Sequence, residues 1–268
     1  MARKQTSKAV AKRASTAPVP ADMMKSLAAD SQDASGFEDM GADDLAIPFL
    51  MVLQALSPQV RGATKIAGAK EGMLFNTVSG AVYDPPVRFV PCYYQKCFVE
   101  WVPREKGGGF IAQHQDPKLL DTTKRNDKGQ DVLPNGNILV RTGYHYGLLV
   151  GGKGDVPQAM VIGMSSTQLK RSRRWNSQAM ALKVKVGNKT VTPPLYSHSY
   201  SLGSVEESND KGTWYSWDIG EPQLIEDAAV YQAAREFHQA VKSGGVRLTP
   251  PPAEGDTDAG GDDADNVL

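Results

Sequence analysis

The chain has 268 residues, 40% of them hydrophobic, which allows one large domain or two small ones with a sizeable core. Formal net charge is zero, yet residues 1–16 hold Arg3, Lys4, Lys8, Lys12 and Arg13 and no acid, while residues 253–268 hold Glu254, Asp256, Asp258, Asp262, Asp263 and Asp265 and no base. A near-neutral total would argue against a polyanionic partner; this segregation removes that argument, while two cysteines give no disulfide framework and no run spans a membrane or forms a secretory signal core.

In chain order, residues 1–35 are rich in Ala, Ser, Lys and Pro and predict a disordered basic arm with a transient helix near Met23–Ala29. Order is expected from Leu45. Residues 45–60 are densely apolar and read as a buried strand, or as a short helix starting at Pro48, ended by Ser57-Pro58. Gly72–Thr77 and Ala81–Tyr83 read as strands joined at Ser79-Gly80, and Val87–Tyr94 and Lys96–Val102 as two more. Residues 103–137 have loop composition and carry Arg104, Lys106, Lys118, Lys124, Arg125 and Lys128.

Ile138–Val150 is again strand-like, with Tyr144 and Tyr146 on one face by the two-residue repeat. The run Met160–Met164 predicts a short buried strand. Ser165 with Gln168 fits a capping box, in which each side chain satisfies a free amide at the start of a helix over Thr167–Leu182. Gly187-Asn188 reads as a turn. Thr190–Leu202 is strand-like around Pro193-Pro194, with Tyr196 and Tyr200 on one face if the strand is regular. Thr213–Ile219 is a short strand. Glu226–Lys242 is an amphipathic helix with Val230, Ala233, Ala234, Phe237 and Val241 on one side and Gly244 as its C-terminal cap. The tail from Thr249 is Pro-, Gly- and Asp-rich and predicts disorder.

Two features carry chemistry. Lys170, Arg171, Arg173, Arg174 and Trp175 place four cations beside an indole, which suits phosphate neutralisation and base stacking. A solvated basic helix with Trp175 packed in the core is the plainer alternative. Tyr144, Tyr146, Tyr196, Tyr200, Trp214, Tyr215 and Trp217 carry polar atoms and hydrophilic neighbours, as half-exposed stacking rings would. Other motifs are weak. Gly107-Gly108-Gly109 lacks the spacing of a phosphate loop. Cys92 and Cys97, an odd separation apart on a strand and so on opposite faces, read as buried thiols before zinc ligands. No catalytic signature accompanies the four histidines, and no cofactor is indicated.

The β-rich middle, the basic helix between strands and the Asp-rich end together resemble single-stranded DNA-binding proteins of tailed bacteriophages. The stretches DLAIPFLMVLQALSPQV and FVEWVPREKGGGF look like phage replication-region proteins of this type. The resemblance implies a mainly β, OB-like Greek-key barrel with insertions over 36–245, one helix between strands and a C-terminal helix. It also implies sequence-tolerant single-stranded DNA binding in the cytoplasm of an infected bacterial host. The tail, 246–268, would recruit replication or recombination proteins through residues 253–268. On this reading Lys170, Arg171, Arg173 and Arg174 contact phosphates, Trp175, Tyr144 and Tyr146 stack bases, and Trp214 and Trp217 stand behind them. Two other readings remain: a factor that engages a host replication or transcription enzyme, and a metal-dependent nuclease built on Asp84, Glu100 and Lys106.

Overall fold

The computed structural model describes residues 20–30 and 46–250, without residues 63, 153, 154, 211, 247 and 249; residues 1–19 and the acidic tail lie outside the described residues. The elements run α1 (Ala21–Asp30), β1 (Leu50–Val52), α2 (Pro58–Arg61), β2 (Leu74–Asn76), β3 (Val82–Tyr83), β4 (Val87–Trp101), β5 (Phe110–His114), β6 (Lys124–Arg125) and β7 (Asp131–Val132). They continue as β8 (Ile138–Val150), β9 (Gln158–Ser165), α3 (Leu169–Ala181), β10 (Val184–Val186), β11 (Lys189–Val191), β12 (His198–Asn209), β13 (Gly212–Ile219), β14 (Gln223–Leu224) and α4 (Ala228–Lys242). The chain is therefore mainly β, with a helix between strands and a C-terminal helix, as the sequence suggests.

β4 and β8 pair antiparallel along nearly their whole length, from Arg88 opposite Val150 to Trp101 opposite Ile138. β12 and β13 extend the sheet beside the first half of β4, and β9 extends it beside β8. The result is a curled antiparallel half barrel. β1 lies across its open side. Phe49 bridges to Val161 of β9, and the Gln54 side chain exchanges two hydrogen bonds with the main chain of Tyr215 on β13. That amide acts as one extra strand residue and links the two edges.

Over residues 89–92 and 147–150 both faces of the β4–β8 ladder are apolar, so both must be covered there. Inside the curl, Phe89, Leu149, Met160, Ile162, Met164, Tyr200, Leu202 and Trp217 pack around Trp175 of α3. Outside it, Val90, Cys92, Leu148 and Val150 meet Val230 and Ala234 of α4. Further along, Cys97, Val99, Tyr144 and Tyr146 meet Phe237 and Val241, joined by Val246 and Leu248. α4 starts at Asp227, whose carboxylate accepts from the amides of Ala229 and Val230, a cap that satisfies two otherwise free donors.

Two glycines on β8 let these layers approach. A Cβ at Gly147 would lie 2.3 Å from the Val90 carbonyl and 2.4 Å from the Phe89 ring. At Gly143 it would lie 2.9 Å from Ser172 Oγ, so only a glycine admits α3 at this distance.

Several local expectations change. The two strands expected over 87–102 are one strand with a bulge between Pro91 and Tyr93. The extra residue puts Cys92 and Cys97 both under α4, not on opposite faces. Ser165 makes no capping hydrogen bond. A 3-10 turn over Ser166–Gln168 precedes α3, and the Gln168 amide instead bonds Ser216 Oγ and the Trp217 amide. The long loop over 103–137 contains β5, β6 and β7, because the exposed edges of β4 and β8 offer them a ladder. Tyr196 and Tyr200 part company: Tyr196 sits in a 3-10 turn against Tyr231 of α4, and Tyr200 lies inside the curl against Trp175. In 45–60 it is β1 that forms the strand, and Pro58 begins α2.

His145 projects into the interior and stacks on Trp175 with ring centroids 4.4 Å apart. Burial pushes its pKa down to about 3. The folded chain therefore refuses a proton that the unfolded chain binds below about pH 6.5, so stability is complete above that pH and falls as the pH drops. Denaturant melts between pH 7 and 4 should show a loss of up to about 1.4 kcal/mol per pH unit from this group. His145→Gln should remove about one proton from that dependence, and an unchanged slope would contradict the assignment.

Candidate nucleic-acid interface

α3 is fixed by its inward residues. Ser172 and Trp175 are fully buried, one turn apart, and Ser172 Oγ lies 2.8 Å from His145 Nε2. Because these two positions face in, Lys170, Arg173 and Arg174 are turned outward and are exposed. Arg171 points sideways and pairs with Glu207 of β12. Glu207 also accepts from Ser216 Oγ and from Trp214 Nε1. Burial alone would raise the Glu207 pKa; the Ser216, Arg171 and Trp214 hydrogen bonds and the Arg171 charge outweigh it and hold the carboxyl below its ordinary value. This network ties α3 to the β12–β13 hairpin, and it compensates the Arg171 charge locally.

The aromatic residues expected to stack bases are mostly elsewhere. Trp175 is 1% exposed, Tyr144 2%, Tyr146 3% and Trp217 3%. Tyr144 and Tyr146 do share a face, but it is the one under α4, and burial raises both phenol pKa values. Trp175 and Trp217 lie inside the curl. A ring without an exposed face cannot take a base, so these four are core anchors here. Trp214 is half-buried and engaged through its N–H with Glu207 and Ser216.

The ring that accompanies the cations is Tyr94. Tyr94, Lys96, Phe98 and Glu100 alternate on the face of β4 that α3 covers, opposite His145, Gly143, Arg141 and Leu139 of β8. Tyr94 packs on His145 at 5.0 Å between centroids and stays partly exposed. Lys96 Nζ lies 5.7 Å from the centre of the Phe98 ring, a cation–π distance, and Lys96 and Arg141 are both exposed. The sheet thus continues the basic surface of α3 with Lys96 and Arg141, and sets one half-exposed tyrosine between them. Sequence reading passed over both cations. The available signal was the two-residue spacing of Tyr94, Lys96 and Phe98.

At the far end of that face, Glu100 is buried and accepts from Asn135 and Asn137, with His114 Nε2 at 2.8 Å. The Asn137 hydrogen bond leads, against the cost of burial and with help from Asn135 and His114, in lowering the Glu100 pKa. This carboxylate is therefore committed to holding β5 and the β7–β8 turn, not to binding a metal. Among the described residues no cluster of three or more His, Cys, Asp or Glu side chains is arranged to hold a metal ion. Cys92 and Cys97 are free and buried, and burial pushes Cys97 up to about 12.

Compared with known families, residues 13–247 match the model of the Pam3 phage gp34-like protein family. The chain belongs to that family. It is thus a bacteriophage protein, and the match spans every strand and helix described from β1 to α4. No curated protein and no solved structure matches it. Among the described residues no helix is long and apolar enough to cross a membrane.

The two roles on α3 separate by mutation. Trp175→Ala should lower unfolding stability by about 3–5 kcal/mol in denaturant titrations. Lys170→Gln and Arg174→Gln should each stay within about 0.5 kcal/mol of the parent. A Trp175→Ala protein as stable as the parent would contradict the core role.

Proposed function

We propose that this phage protein binds single-stranded DNA without sequence preference, along the face formed by α3 and the adjoining part of β4 and β8. Its role would be to coat single strands during phage replication or recombination in the infected cell. The acidic tail would recruit the enzymes that act on them. The observation that carries the reading is the union of Lys170 and Arg174 on α3 with Lys96 and Arg141 on the sheet, around the half-exposed Tyr94. Exposed cations supply phosphate contacts whose strength does not depend on base identity. An exposed ring adds stacking, which every base can provide.

The face suits a strand better than an enzyme's small substrate. It is open, and the concavity beside Arg171, Arg174 and Asp218 is small, about 50 Å³. The half-buried Glu207 and the buried Glu100 are both saturated with hydrogen-bond donors. Neither is left to act as a general base, so binding accounts for the arrangement without a chemical step.

Fluorescence anisotropy with a labelled single-stranded oligonucleotide tests this directly. The four phosphate contacts on this face contribute about −3 to the log–log salt slope. Tyr94→Ala should weaken binding by about 1–3 kcal/mol at fixed salt while leaving that slope in place. Lys96→Gln with Arg141→Gln should make the slope shallower by about 1.4. Absence of any binding at low salt would sink the proposal.

A further inference from the structure

The end of α3 is followed, two residues later, by a hairpin that no sequence motif singled out. β10 and β11 pair only with each other, through Val184–Val191, Lys185–Thr190 and Val186–Lys189. None of its residues belongs to a core cluster. A free two-stranded hairpin is marginal in water. This one also leaves Val186 64% and Val191 39% exposed, beside Met180 at 71%.

Its two faces differ. Opposed residues share a face, so Lys185 and Thr190 lie on one side. Lys183, which donates to Thr192 Oγ1, continues the same row. Val184, Val186, Val191 and Lys189 make up the other. The charge along this stretch of the chain has one sign. From Val156 to Val205 the sequence contains no Asp or Glu, and its seven bases are the four on α3 plus Lys183, Lys185 and Lys189.

We propose that the β10–β11 hairpin is a second arm of the single-strand site, with phosphates along Lys183 and Lys185 and a base or sugar against Val186 and Val191. The inference rests on the nucleic-acid reading above and deepens it. Three exposed lysines with no acid in the segment suit an anionic partner. The exposed valines suit one that also offers an apolar surface. A single strand presents both, because its bases are unpaired and can turn outward. A duplex presents phosphates but keeps its base faces stacked inside, which would leave the valines bare.

Binding is measured on the full chain, by anisotropy with single-stranded and duplex oligonucleotides over a salt series, with light scattering to follow mass. The triple variant Lys183→Gln, Lys185→Gln, Lys189→Gln should make the single-strand salt slope shallower by about 1.4, the share of the two phosphate contacts at Lys183 and Lys185. The pair Val186→Ser, Val191→Ser should weaken single-strand binding several-fold with the slope and duplex binding unchanged. All five positions are exposed, so both variants should fold, and far-UV circular dichroism checks that they do. If the parent binds single strands steeply with salt and both variants match it, the arm is refuted while the broader reading stands. If the valine variant alters mass without altering DNA affinity, the face joins copies of the chain and the proposal fails. A parent that binds no single strand overturns both.

Discussion

The structure depends on covering two faces of one ladder. β4 and β8 are long and antiparallel, and over residues 89–92 and 147–150 they are apolar on both sides, which leaves no face for water there. α4 closes the outer face. The curl of the sheet, with β1 across its mouth and Trp175 inserted from α3, closes the inner one. The basic surface follows from this second closure. Trp175 and Ser172 must point inward, and helical geometry then sends Lys170, Arg173 and Arg174 outward. Gly143 and a neutral His145 set how closely α3 can sit. Core packing and charge presentation are therefore one constraint, acting through the same helix.

Much of this was legible in the chain. The long strands, the helix after Met164 and the helix before Gly244 all follow from periodicity, because each buries one face and the period reports which residues share it. Periodicity does not report what covers that face. Tyr144 and Tyr146 were rightly placed together, but nothing local distinguishes a tyrosine facing solvent from one facing α4, whose position is set by chain folding eighty residues later. The bulge at Pro91–Tyr93 illustrates a second limit. One inserted residue inverts the alternation beyond it, which moved Cys97 to the side of Cys92. Short strands β5 to β7 illustrate a third: their composition is that of a loop, and they are strands because neighbouring edges accept them.

The polar residues of the interface sort by whether the fold has already used them. Glu207 spends its lone pairs on Arg171, Ser216 and Trp214, and so fixes α3 against the β12–β13 hairpin. Glu100 does the same for the region around β5 and the β7–β8 turn. Capping-box logic failed at Gln168 for a related reason. A side chain able to satisfy a helix amide can satisfy a neighbouring strand equally well, and here it holds β13. Groups already satisfied inside the fold contribute rigidity to the face. What is left over on that face is cations and one half-exposed ring.

That remainder explains how a chain of zero net charge can present a basic surface. Acids and bases are equal in number, but their placement is not. Screening in physiological salt limits the reach of exposed charge to roughly 8 Å. A ligand on α3 therefore responds to Lys170, Arg174, Lys96 and Arg141 and hardly to acids farther along the chain. Glu207, a carboxylate tied to α3 by hydrogen bonding, is saturated by Arg171 and its neighbours. Local sign, not total charge, is the quantity that a polyanion would read. The fold produces it by burying the aromatic half of the basic-aromatic signature and exposing the basic half.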